Sequence, residues 1–441
     1  MRKYVLIALG LIVLIAAAVL FAMTRPDVAK LPEDAVMGVR PNITTPRNQI
    51  LPTVGIAEVV GWQGAAKPVA AAGLQVAAFA KGLDHPRWLY RLPNGDVLVA
   101  ESNSTPRKGG GIKGWVMKTL MGRAGAGVAS PNRIILLRDA NGDGVAEARS
   151  VFLSGLNSPF GMVLVGDWLY VGNTDALVRF PYKAGETKIT AAAEKIADLP
   201  GGGNHWARNV VAAPGGKSLY VTVGSSSNIA ENGMDAEKRR AGILEVFPET
   251  KYVRIYATGL RNPNGMAFEP QSGRLWTVVN ERDQLGSDVP PDYMAAVDIG
   301  DNFGWPWYYW GGYPDRRVEP ANPALQEYSK RPDYALGAHT ASLGLAFAGD
   351  AKLGTRFANG AFVTQHGSWN REPPAGYKML YIPFGPNGFP DQRAKPVTML
   401  SGFLNDEGKA QGRPVGVITD RTGALLVADD VGNVIWRVTG S

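Results

Sequence analysis

The chain has no cysteine and only four histidines, His85, His205, His339 and His366. Without thiols there is no disulfide framework and no thiolate metal site, so an ion would be held by oxygen or imidazole, which favours calcium or magnesium. Nucleic-acid signatures are lacking as well. The net charge is +7, but the Lys and Arg residues are dispersed, with no basic helix and no aromatic stacking platform. Nucleic acid is therefore not an expected partner, and the modest positive field suits an anionic cofactor or a membrane surface. Helix is scarce too, because 54 Gly and 31 Pro among 441 residues mark many turns.

The one long apolar run is at the start. Met1-Arg2-Lys3 precedes an uncharged stretch from Val5 to Met23, followed by Arg25-Pro26. The stretch is long enough to span a bilayer as a helix and exceeds the usual core of a signal peptide. Residues 1–24 are expected to be a transmembrane anchor or a cleaved signal. With Arg2 and Lys3 inside, the remainder faces the periplasm or the exterior. Residues 25–70 read as a tether and wrapping segment, and 71–441 as one domain.

Six times in that domain a phrase rich in Gly, Pro and Asn enters a strand, a turn follows, and a short apolar strand ends in polar residues. The instances are Gly82–Asn103, Gly155–Thr174, Pro200–Asn228, Gly259–Asp283, Ala341–Asn370 and Gly412–Asp430. Recurrence of one supersecondary unit marks a repeat architecture. The expected fold is all-β, a six-bladed β-propeller preceded by the N-terminal helix.

An antiparallel hairpin sets the start of its first strand beside the end of its second. Arg261 and Asn262 therefore lie next to Asn280–Asp283, and His205 next to Ser225–Ser227. Asn157 is paired with Asn173, His85 and Arg87 with Glu101, and Arg413 with Asp429 and Asp430. In a radial arrangement these polar ends gather at one mouth of the central channel.

His205 sits in Gly201-Gly-Gly-Asn-His-Trp-Ala-Arg-Asn209, where glycines allow close backbone approach to a ligand. A neutral histidine there suits a general base that removes a hydroxyl proton. Arg208, Arg261, Arg282, Arg371 and Arg413 all fall in or beside strand ends. Planar guanidinium forks recognise carboxylates, so several together imply a carboxylate-rich ligand or a developing oxyanion, unless each pairs with a neighbouring acid. Asp139-Ala-Asn-Gly-Asp-Gly144 resembles the front half of a calcium loop but has Ser150 at the twelfth position, leaving an ion site or a plain hairpin turn. Two insertions interrupt the repeats. Residues 104–130, with Trp115–Met121, read as a lid, a membrane-contacting loop or a plain excursion; residues 284–338 carry an aromatic cluster that packs on its own domain or stacks on a ligand.

At these residues the chain resembles the PQQ-dependent sugar dehydrogenases of the soluble glucose dehydrogenase and sorbosone dehydrogenase group, closest to the sorbosone branch. The resemblance spans roughly residues 75–440. It rests on the His205 phrase, Gly259-Leu-Arg-Asn-Pro-Asn-Gly-Met, Asn280-Glu-Arg-Asp-Gln-Leu-Gly, Asp301-Asn-Phe-Gly-Trp-Pro, Gln365-His-Gly-Ser-Trp-Asn-Arg and Gly412-Arg-Pro-Val-Gly-Val. It implies that His205 is the catalytic base and that Arg261 stabilises the reduced quinone oxygen. Asn262 and Arg413 would contact the cofactor, and the backbone carbonyls of Asp283 and Gln284 would hold calcium. The family's Asp before the histidine is Asn204 here, the second arginine of its final Arg-x-Arg is Val415, and its cofactor lysine falls near Gly367. His366 or Arg371 would take the place of that lysine, with Arg208 as a further cofactor contact. The implied substrate is an aldose or aldehyde-type sugar, sorbosone-like or glucose-like, with electrons passing to a respiratory acceptor. Two other readings stay open: a calcium-dependent sugar lactonase, with Glu101, Asn157, Asn173 and Asp430 as candidate ligands, and a non-catalytic binding propeller.

Overall fold

Apolar runs with period-two alternation, broken by Gly- and Asn-rich turns, fold into six antiparallel sheets that follow one another along the chain. The structure, a computed structural model, describes residues 2–47, 52–105, 119, 122–125 and 127–441. Blade 1 comprises Pro86–Arg91, Val97–Glu101, Arg133–Arg138 and Ala148–Leu153, and blade 2 Met162–Val165, Trp168–Gly172, Ala176–Pro181 and Glu194–Asp198. Blade 3 is Val210–Ala212, Leu219–Val223, Gly242–Phe247 and Tyr252–Thr258, and blade 4 is Pro263–Phe268, Leu275–Val279, Pro291–Val297 and Tyr334–Ala338. Blade 5 is Ser342–Phe347, Gly360–Gln365, Lys378–Pro383 and Val397–Ser401. Blade 6 takes three strands from the C-terminus, Pro414–Thr419, Leu425–Asp429 and Val434–Gly440, and its outermost strand, Leu74–Lys81, from far earlier in the chain. The first strands of the six blades contact one another in a closed ring, which gives the six-bladed β-propeller.

The core lies between the blades. Alternate side chains of each strand face opposite neighbours: in blade 1, Leu98 and Ala100 pack toward blade 2 and Val97 and Val99 toward blade 6. Six apolar clusters fill the six interfaces in this way. Because both faces of a blade are covered, its second strand reads as a continuous buried run, as in Val97–Glu101 and Leu425–Asp429. The innermost strands approach so closely that Gly161 and Gly344 are required: a Cβ on Gly161 would meet the Val210 backbone nitrogen, and one on Gly344 the Val415 carbonyl.

Segments before the first blade add edges to it. Met37–Gly38 pairs with Tyr334–Ala338 of blade 4, and Val69–Ala70 with Val397–Ser401 of blade 5. An α-helix runs over Arg2–Thr24. Among the described residues no helix is long and apolar enough to cross a membrane. The expected anchor, Val5 to Met23, lies partly outside the described side chains. The expected lid at Trp115–Met121 likewise falls almost entirely outside the described residues.

Candidate active site

Each hairpin brings its entry phrase beside the end of its second strand. Pro263 stands opposite Val279, Pro86 opposite Glu101 and Pro414 opposite Asp429. The Asn280 amide donates to the Asn262 carbonyl, Ser102 to His85, Thr174 to Asn157 and Asp430 to Arg413. Contacts between blades then link these ends round the ring. The half-buried polar residues there are Asn157, His205, Asn228, Asn262, Asn280, Asp283, Gln284 and His366.

His205 is held by its own hairpin. Its Nδ1 lies 2.9 Å from the Ser225 carbonyl and 3.0 Å from Ser225 Oγ, whose hydroxyl donates to the Ser227 carbonyl at 2.7 Å. A carbonyl only accepts, so Nδ1 carries the proton and Nε2 is the basic nitrogen of the neutral ring. The loop beneath is fixed by Glu237, a buried carboxylate that accepts from the Ser226 amide at 2.9 Å and from Ser226 Oγ at 2.5 Å. Gly224 makes the station possible, since a Cβ there would stand 2.5 Å from both His205 Cβ and Asn262 Oδ1.

Beside it, Arg261 is fully engaged. Nη1 donates to the Glu281 carbonyl at 2.7 Å, Nε to the Asn228 carbonyl at 3.2 Å, and Nη2 to Asn228 Oδ1 at 2.9 Å and Asp283 Oδ2 at 3.0 Å. Asp283 also faces His339, whose Nδ1 is 3.5 Å from Oδ1. Burial alone would raise the Asp283 carboxyl, but Arg261 and His339 outweigh it and hold it below the usual range. Burial would lower His339, and Asp283 outweighs that and raises it. Gln284 is held in a left-handed conformation at φ 71°, its amide donating to Asn370 Oδ1. The carbonyls of Asp283 and Gln284, expected to hold calcium, both accept from Arg317 Nη1, at 3.1 and 3.3 Å.

The third station surrounds Asp430. Its Oδ2 accepts from Arg87 Nη1, lies 2.9 Å from His366 Nε2 and 3.5 Å from His85 Nε2. Burial would raise this carboxyl, yet His366, Arg87 and His85 hold it well below the usual carboxylate range. Burial lowers His366 to about 4, with Arg87 and Arg413 acting in the same direction, so it is neutral at pH 7. The Arg87 guanidinium lies 5.5 Å from the Trp206 ring, which ties this station to the His205 loop. Arg413 makes two long contacts, to the Ala57 carbonyl at 3.4 Å and Tyr377 Oη at 3.3 Å. The Nε of Arg87 and of Arg413 is buried without a partner. Under-bonded guanidinium groups of this kind fit a ligand carrying several carboxylates.

Other expected residues lie elsewhere. Arg208 is wholly buried, and its guanidinium donates back to the Pro200, His205 and Ala207 carbonyls, which braces the glycine loop, while its Nε, like those of Arg87 and Arg413, has no partner. Arg371 donates to the Ser287 and Pro373 carbonyls. Arg282, also wholly buried, pairs with Glu281 and Asp315. Trp305, Tyr308, Tyr309 and Trp310 of the aromatic insertion are buried in their own domain. Both carboxylates suggested for a lactonase are already paired with cations, Glu101 with Arg133 at 2.5 Å and Asp430 with Arg87. At the calcium-like loop, Asp139 and Asp143 are joined by Glu147, which the sequence pattern missed. Among the described residues these are the one group of three or more His, Asp or Glu side chains close enough to share an ion, and they lie in a hairpin of blade 1 away from the mouth.

The family model described as TrAA12-like matches residues 68–302 and 317–441. A pyrroloquinoline quinone-dependent pyranose dehydrogenase of Coprinopsis cinerea is 26% identical over 223 residues, 41% of this chain and 30% of that protein. The aldose sugar dehydrogenase YliI of Escherichia coli is 24% identical over 291 residues, covering 60% of this chain and 71% of the relative. The chain spans 56% or less of the length of the first curated relatives it matches. Among solved structures, the calcium structure of the Trichoderma reesei carbohydrate-active enzyme of family AA12 superposes with a TM-score of 0.68 at 18% identity, over 85% of this chain and 97% of that one.

Proposed function

The chain belongs to the TrAA12-like family, and on that premise we propose that it is a sugar dehydrogenase using PQQ as electron acceptor. The observation that carries the reading is the fixed tautomer of His205, with its basic Nε2 set in a mouth that also holds under-bonded arginines. Named relatives are a PQQ-dependent pyranose dehydrogenase and an aldose sugar dehydrogenase, which supports an aldose or aldehyde-type sugar as substrate.

Arg413, Arg87 and His366 would hold the cofactor carboxylates, with Asn262 contacting it from blade 4. When bound, PQQ supplies a two-electron acceptor for the hydride leaving the sugar carbon. His205 Nε2 takes the hydroxyl proton, so that an aldose leaves as its lactone. Ser225 keeps the imidazole oriented and accepts from Nδ1–H, which stabilises the imidazolium as it forms. Arg261, clamped between Asn228 and Asp283, keeps a fixed positive charge beside Asn262. His205→Ala should abolish turnover and leave PQQ binding intact; retention of most activity would refute the assignment of the base.

The same reading extends to location. The Arg2-Lys3 start and the apolar run after it support export, with the propeller on the periplasmic face and electrons passing to a respiratory acceptor. Fractionation of cells expressing the full chain tests this, and recovery in the cytosol would contradict it.

A further inference from the structure

We propose that the cation serving the Asp283 and Gln284 carbonyls in this chain is the guanidinium of Arg317, and that PQQ binds at the mouth without calcium at that position. The inference rests on the reading that PQQ binds there. Calcium does not fit those two carbonyls as the residues stand. The Asp283 carbonyl accepts from Arg317 Nη1 at 3.1 Å and from Asn228 Nδ2 at 3.2 Å, so both of its lone pairs are engaged. The Gln284 carbonyl accepts from the same Nη1 at 3.3 Å. An ion bound to the Asp283 carbonyl at calcium–oxygen distance would lie within about 5.7 Å of that nitrogen and meet its positive charge.

Arg317 is not placed to swing aside. Its Nε and Nη2 make a two-point pair with Asp315, at 2.8 and 2.6 Å, and the Asp315 side chain is wholly buried. Asp315 also faces Arg282, which anchors the insertion through the Pro306 and Tyr308 carbonyls. Nor does the Asp283 carboxylate offer a free negative charge, since Arg261 and His339 flank its two oxygens. Asp315 lies in residues 303–316, the stretch that the family model leaves unmatched, and Arg317 is the first residue of the matched stretch that follows. A monovalent cation held by Asp315 thus takes the electrostatic place of a divalent ion, and its Nη1 is already paired to the loop that the ion would otherwise organise.

The test is PQQ titration of the purified full-length chain by tryptophan quenching, in EGTA and in calcium-saturated buffer, with metal analysis of the same samples. The affinities should agree within about threefold. Arg317→Ala should weaken PQQ binding in EGTA by about tenfold or more, with calcium restoring part of it. It should also bind one more calcium per chain than the wild type, a difference in which the Asp139 cluster cancels. Arg317→Lys, which keeps a cation, should remain calcium-independent and serves if the alanine variant does not fold. Wild-type binding that requires calcium overturns the inference while leaving the dehydrogenase reading standing. Absence of PQQ binding in both buffers overturns both.

Discussion

Acidification should loosen the propeller through His366. Burial, reinforced by Arg87 and Arg413, holds this imidazole at about 4 against an ordinary 6.5, despite the opposing pull of Asp430. The folded state therefore resists protonation that the unfolded chain accepts. The sign follows: the contribution to stability is complete above 6.5 and is lost as pH falls from 6.5 through about 4. Fully protonating the unfolded state alone corresponds to roughly 3 kcal/mol, of which about 2 kcal/mol has gone by pH 5. The side chain keeps 17% of its surface exposed, so solvent moderates this, and a loss of about 1–2 kcal/mol is expected. His85, also lowered by burial, acts in the same sense, while His339, raised by Asp283, acts in the opposite one. His366→Gln, which can still donate to Asp430, isolates the residue. Urea denaturation followed by tryptophan fluorescence at pH 7 and pH 5 should show a fall in stability for the wild type larger than that of the variant by this amount. Parallel pH dependence in the two proteins would refute the reasoning.

Three further outcomes are expected. Gly224→Ala places a methyl 2.5 Å from His205 Cβ and should cut kcat about tenfold or more by displacing the base, with PQQ affinity, read by fluorescence quenching, changed far less. Asp430→Asn leaves the Arg87 charge buried without its carboxylate and should lower stability by about 3–5 kcal/mol in chemical denaturation. Gly161→Ala drives a methyl into the Val210 amide where two inner strands meet, and should cost about 1–3 kcal/mol, seen as a lowered Tm with no change in the absorption of bound PQQ.

Much of the site is legible in the hairpin rule, because pairing in one short hairpin is a local matter. That rule alone sets His205 beside Ser225 and Arg261 beside Asp283, as the structure does. It says less about direction. Arg208 and Arg413 both sit at blade entries, yet one guanidinium turns back into its own loop and the other lies against Tyr377. Residues reached through long connections have no register to read. Asn228 bridges Arg261 and Asp283, Glu237 fixes the Ser226 amide, and Arg317 reaches the Asp283 carbonyl across an insertion whose length hides the approach. That Leu74–Lys81 closes blade 6 is likewise hidden, since nothing local links that strand to Val434–Gly440. Gly161 and Gly344 are contact points between inner strands, which only the packing of neighbouring blades reveals.

The most direct test of the account is dye reduction by the purified chain across a panel of aldoses, sorbosone and simple aldehydes, with and without added PQQ. The account predicts sugar-dependent reduction that appears only with PQQ and disappears in His205→Ala. Sugar turnover that proceeds equally without the quinone, or no turnover with any sugar when PQQ is shown to be bound, would contradict it.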